Sequence, residues 1–138
     1  MKIRTHLAVS LGLLMISLVI SCKTSNSTYE IKILQNQQLV KSYSMDVINK
    51  MSFKSFVKDG TIESGPSLAY LLNDAGITTY SIVTLKNQIG EIFNIDHTQN
   101  TEDYILDITN HGTVKLASEK LPKNKWFKDI TEISVDNS

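Results

Sequence analysis

The sequence predicts an α+β domain, a strand-rich mixed sheet with two short helices, preceded by an export leader. Three observations carry that expectation. Short runs in which apolar and polar residues alternate recur over residues 29–136, separated by turns containing Asn, Asp or Gly. Between them lies one stretch, "ESGPSLAYLLNDAGI", whose apolar residues are spaced for a helix. The front end differs from both: "LAVSLGLLMISLVI", residues 7–20, holds no charge and follows Lys2 and Arg4.

An apolar run of that length falls short of the roughly 20 residues a bilayer-spanning helix needs, but it suits the apolar region of an export signal. It ends in "VISC", residues 19–22, which resembles the lipobox of bacterial lipoproteins. The resemblance implies that the Cys22 thiol takes a diacylglyceryl group, that cleavage follows just before it, and that the new amine is often acylated too. A plain secretory leader and an uncleaved anchor helix are the competing readings. On the lipoprotein reading, residues 1–21 are a signal peptide, 22–28 a polar tether, and 29–138 a single α+β domain. Several acyl chains hold a protein on a membrane durably, since each buried methylene contributes about 0.8 kcal/mol. The expected location is the cell envelope, on the outer face of a bacterial membrane. No acidic residue follows Cys22 directly, so in a Gram-negative cell the expected destination is the outer membrane.

Composition then narrows the function. Without residues 1–21 the chain has 117 residues, which suits one domain with one core. Lys2 and Arg4 leave with the leader, so the remainder carries 12 lysines against 14 carboxylates, a balance of −2. The two signs are interspersed, whereas a nucleic-acid binder concentrates basic charge on one face. Nucleic acid is therefore not an expected partner. Arg4 is the sole arginine, so bidentate guanidinium clamping of phosphate is unavailable to the mature domain. Cys22 is the sole cysteine, and once it is acylated there is no disulfide, thiolate nucleophile or cysteine metal ligand.

The elements follow in order. "YEIKILQNQQLVKSYS" alternates around an Asn36-Gln37 break and predicts a β-hairpin. "SMDVINKM", residues 44–51, places Ser44 as an N-cap ahead of Met45, Val47, Ile48 and Met51, which predicts a short helix. "SFKSFVK" reads as a strand running into an Asp59-Gly60 turn. In the next helix Pro66 is expected in the first turn, Leu68, Leu71 and Leu72 form the apolar stripe, and Gly76 is the stop. Ser64 and Ser67 are its candidate caps. "YSIVTLK" and "EIFNI" form a second hairpin around residues 87–90, setting Ile82, Val83 and Leu85 opposite Ile92, Phe93 and Ile95. "DYILDIT" and "TVKLA" form a third around Asn110-His111-Gly112. "DITEISV", residues 129–135, closes the chain as a strand. There is no internal repeat.

This succession resembles the molybdopterin-binding domain of the sulfite oxidase family. Gly65, Leu68, Leu71, Leu72, Ala75, Gly76 and Ile77 match that family's helix motif, and Gly112, Leu116, Trp126, Lys128, Ile130, Ile133 and Val135 match its later strand motifs. The resemblance spans residues 29–136 and implies that fold. It departs where the cofactor is held: the family's cysteine ligand has no counterpart in "MSFKSFVKDGTIESG", and Lys115 stands where the family has an arginine. The resemblance thus implies a reduced relative keeping the scaffold, with no molybdopterin expected, and a scaffold does not bring function with it.

Other catalytic sets are sparse. His97 stands beside Asp96 and near Glu102 and Asp103, a set from which a cation site can be imagined, but no ligand spacing fixes a geometry, and no metal is expected. His111 falls in the third hairpin turn. There is no Gly-x-Ser-x-Gly elbow and no phosphate-cradling glycine loop. "KLPKNKWFKD" is the candidate interaction surface. Trp126 and Phe127 are adjacent, so they point to opposite sides of an extended chain, leaving one ring free to meet a partner beside Lys125 and Lys128. The expected function is a lipid-anchored, non-catalytic binding or interaction domain, a pseudoenzyme by its scaffold, which meets the membrane through its lipid and an unidentified protein or small ligand through its surface. The alternative is a cofactor-binding accessory domain of a membrane-associated redox system.

Overall fold

The computed structural model describes residues 28–137. The expected signal peptide, Cys22 and the expected tether up to Ser27 lie outside the described residues. Among the described residues no helix is long and apolar enough to cross a membrane.

Strands β1 (Glu30–Gln35) and β2 (Gln38–Ser44) make the first hairpin, with Gln35 opposite Gln38. Its two-residue loop holds Asn36 and Gln37 at φ 49° and 65°, the left-handed pair that lets a tight turn follow strand twist. Ile31 and Ile33 are fully buried while Glu30 and Lys32 face out, so the alternation in the sequence is a one-sided burial. Helix α1 (Met45–Ile48) follows, its Val47 N–H donating to the Ser44 hydroxyl at 3.4 Å.

Strand β3 (Lys54–Lys58) turns at Asp59-Gly60 into β4 (Thr61–Gly65), with Val57 opposite Ile62. The sequence predicts no strand at β4. "TIESG" holds a single apolar residue and runs into Pro66, so no hydrophobic alternation marks it. The strand displaces the start of the next helix: Pro66 lies before the cap, not in the first turn, and α2 runs Leu68–Asp74. Ser67 caps it, accepting the Tyr70 N–H at 3.0 Å. Gly76, at φ +81°, ends it, and the Ile77 N–H returns to the Leu72 carbonyl at 2.9 Å.

Strands β5 (Ile82–Asn87) and β6 (Ile92–Asp96) pair with Val83 opposite Ile95 and Leu85 opposite Phe93, whereas Ile82 and Ile92, expected among the facing apolar residues, lie on the other face opposite Asp96 and Lys86 and are exposed. A 3-10 turn at Thr101–Asp103 leads to the hairpin of β7 (Ile105–Ile108) and β8 (Val114–Ala117). Strand β9 (Ile130–Asp136) closes the chain.

Five strands form one sheet in the order β2-β1-β9-β5-β6. β1 and β9 are parallel and every other pair is antiparallel, which makes the sheet mixed. Register aligns Ile33, Ile133, Leu85 and Phe93 in one row across the inner face. The outer face carries Lys32, Glu132 and Lys86 in the neighbouring row, opposite charges side by side. Leu68, Leu71 and Leu72 of α2, with Leu106, Val114 and Leu116 of the β7–β8 hairpin, cover the inner face. Each of these fully buried aliphatic side chains contributes about 2 kcal/mol relative to exposure.

The β3–β4 hairpin packs on β7 from outside. Gly65 makes that approach feasible: a Cβ built there would stand 2.0 Å from the Leu106 carbonyl oxygen. A smaller cluster of Ile105, Ala117 and Trp126, flanked by Phe56 and Leu121, fills the space between the two hairpins.

Candidate functional site

The alternation of β4 sends Ile62 outward and Glu63 inward, so a carboxylate enters the packed layer between hairpins at 3% exposure. Asp107 on β7 and Lys115 on β8 are opposite one another in register. The three meet where β4 crosses β7. Lys115 Nζ lies 2.6 Å from Glu63 Oε2 and 3.2 Å from Asp107 Oδ2, and Lys123 Nζ reaches within 3.9 Å of Glu63 Oε1. Both ammoniums lie over the Trp126 ring, at 5.1 Å and 5.8 Å from its centroid.

Two carboxyls beside one close ammonium do not both ionise readily. Burial, and then the hydrogen bond to Glu63, pushes the Asp107 carboxyl up to about 6. Glu63 moves the other way: the hydrogen bond from Asp107 and then those from Lys115 hold its carboxylate below the usual range, against the effect of burial. The pair thus keeps one proton in mildly acidic conditions, and that proton belongs to the pair more than to either residue.

This cluster forms one wall of a cleft of about 590 Å³ that also takes in Thr61, His111 and Lys128. Asp129, at its edge, holds φ 57°, an uncommon conformation for a residue with a side chain. Its carboxylate accepts the Thr113 hydroxyl at 2.7 Å, and its carbonyl accepts the Gln88 N–H at 3.0 Å. Approach of a positive group to the wall would favour release of the shared proton, and approach of an anion would favour its retention. A second hollow, of about 440 Å³, lies beside α2. Its charged residues Lys54 and Glu102 are exposed and bonded to each other.

The residues singled out from sequence are distributed differently. Trp126 is 8% exposed, donates its indole N–H to the Ser118 carbonyl at 3.1 Å, and meets Phe56 edge-on at 6.2 Å. Phe127 points to the other side, as alternation demands, but lands on Phe93 at 5.7 Å and is half-buried. Neither ring is left standing free, because strands lie on both sides of this segment. Of the two rings and two lysines expected at that surface, Lys125 and Lys128 are exposed. Cys22 lies outside the described residues.

His111 sits exposed in the β7–β8 turn at the cleft mouth. The acidic residues around His97 are not gathered into a site: Asp96 accepts from the Thr98 N–H at 2.8 Å, Glu102 pairs with Lys54, and Asp103 pairs with Lys120. Among the described residues no group of three His, Cys, Asp or Glu side chains is gathered as a metal-ligand set.

Sequence reasoning passed over Glu63 and Asp107. Half of the signal was available, since Asp107 and Lys115 are equidistant from His111 and so must face each other across that hairpin. Glu63 gave none. Comparison of the chain with protein-family models and with curated proteins finds no match.

Proposed function

We propose that this protein is a lipid-anchored, non-catalytic binding domain on the outer face of a bacterial membrane, offering the Glu63–Asp107–Lys115 cleft to a small polar ligand or a protein segment. The observation that carries the binding reading is the charge cluster. Placing a carboxylate at 3% exposure costs more than a hydrocarbon would there. Carboxyls with opposed shifts, gathered with an ammonium at the wall of an open cleft, are a feature of ligand sites. The anchor rests on the leader and the "VISC" motif ahead of the domain.

The resemblance to the sulfite oxidase family enters here as a scaffold reading, supported by the order of the motifs around Gly65, Gly76 and Gly112. The cleft does not suit molybdopterin. Lys115, at the position of the family's arginine, is already engaged by Glu63 and Asp107, and two carboxyls stand where an anionic phosphate needs donors. No described residue offers a thiolate for molybdenum.

Labelling cells with radioactive palmitate tests the anchor, with incorporation expected into the wild type and lost in Cys22→Ala. Protein purified from cells supplied with molybdate is expected to carry neither molybdenum nor pterin fluorescence. Stoichiometric molybdenum would favour the accessory redox role instead.

A further inference from the structure

The end of the domain where the chain enters carries isoleucines that the core does not use. Ile89 is 79% exposed and Ile62 is 73% exposed. They line neighbouring clefts that share Lys128 and Asp129. Ile89 is held at the tip of the β5–β6 turn by a closed set of bonds. Asn87 Oδ1 accepts the N–H groups of Ile89 and Glu91 at 3.2 and 2.8 Å, and the Gln88 N–H is bound by Asp129. The turn therefore presents an aliphatic side chain on a fixed tip, at a position where polar residues are the default. Ile62 is paired across its hairpin with Val57, itself 64% exposed. Lys128 is exposed and forms no ion pair with any described residue.

Where the chain begins decides what these residues face. Thr28, Tyr29 and Gln88 line one hollow, so the first described residues lie beside the Ile89 turn. Tyr29 is clamped there, its hydroxyl accepting the Val114 N–H at 3.0 Å and donating to the Ile130 carbonyl. Cys22 precedes Thr28 by six residues, which reach at most about 20 Å when fully extended. On the lipoprotein reading above, on which this inference rests, the acyl chains can be no farther than that from this end of the sheet.

We propose that this end rests on the phospholipid surface that holds Cys22, with Ile62 and Ile89 entering the boundary between headgroups and acyl chains and Lys128 facing lipid phosphate. The tether keeps the end close to the bilayer, so contacts too weak to recruit a free protein suffice to orient an anchored one. The orientation has a consequence for the cleft. Its mouth, with His111 and Lys128, opens at the bilayer side, while the Asn36-Gln37 turn points away.

The test uses the full-length acylated protein in vesicles of phosphatidylethanolamine and phosphatidylglycerol. Acylation consumes the sole natural thiol, so Ile89→Cys supplies a single reactive one for an environment-sensitive dye. Leu39→Cys, 61% exposed beside the opposite turn, is the control, and Ile62→Cys is a second reporter should Ile89→Cys disturb its turn. Palmitate labelling is followed in the same samples. The dye at residue 89 or 62 is expected to shift to the blue and resist iodide on vesicles, while the dye at residue 39 stays aqueous. Aqueous dyes at both 89 and 62 on a labelled, vesicle-bound chain overturn the proposal and leave the anchor standing. So does an equal shift at residue 39. A shift that vanishes at a single copy per vesicle assigns the patch to a second copy of the chain and overturns it as well. A chain that takes no label and floats free of vesicles overturns both readings together.

Discussion

The Lys115 ammonium lies 2.6 Å from the Glu63 carboxylate, and this contact joins two hairpins that share no backbone ladder. Glu63 is almost fully enclosed, so its charge depends on that partner. Lys115→Met is expected to lower the unfolding free energy by about 3 kcal/mol, the scale for stranding a buried charge. Lys115→Met combined with Glu63→Leu should lose clearly less than the two single changes added together, because the second removes the group the first leaves unpaired. Urea unfolding of the four proteins measures this. A loss below about 1 kcal/mol in Lys115→Met would show that Lys123, 3.9 Å away, already neutralises the site.

The shared proton makes stability depend on pH with a definite sign. Asp107 binds its proton more tightly folded, near 6, than unfolded, so its contribution is full below about 4 and is lost as pH rises through 6. Glu63 acts oppositely: its carboxylate is held low, so its contribution is present above about 4.5 and fades as pH falls. From pH 4.5 to 7 the Asp107 effect dominates, and the wild type should lose on the order of 2 kcal/mol relative to Asp107→Asn. Thermal unfolding across that window, with both proteins in the same buffers, tests it. Parallel curves for the two would refute the shared proton.

Two glycines should respond to alanine for different reasons. At Gly65 a Cβ meets the Leu106 carbonyl oxygen at 2.0 Å and its carbon at 2.6 Å, backbone that cannot swing aside. Gly65→Ala is expected to cost about 3 kcal/mol or more by separating β4 from β7. At Gly60 nothing lies within 4 Å, but φ is +76°. Gly60→Ala should cost only about 1 kcal/mol, through backbone strain alone. Chemical denaturation ranks them, and an equal cost at both would count against the close packing of the hairpins.

Much of the sheet was legible because one of its faces is buried. That condition forces a period of two, so the pairing of Val83 with Ile95 and of Leu85 with Phe93 follows from pattern and turn length. Helix α2 was legible from its leucine stripe and Gly76. The strand β4 was not, since "TIESG" pairs with β3 through backbone bonds and earns its place by a missing Cβ and one inward carboxylate, neither of which has a periodicity. The candidate site was half legible for the same reason. Asp107 and Lys115 face each other by hairpin arithmetic, whereas Glu63 joins them through packing between hairpins, which no local spacing encodes. Trp126 and Phe127 show the opposite failure: their opposed directions were readable, but what lies on each side of them was not.

Strand β9 runs through the middle of the main sheet, between β1 and β5, and its backbone satisfies both neighbours. The sheet's two halves, β2-β1 and β5-β6, therefore stay apart until residues 130–136 have been synthesised. Folding of this domain is late in the order of synthesis, and a nascent chain stalled before Ile130 would leave two hairpins with open edges and nothing to join them.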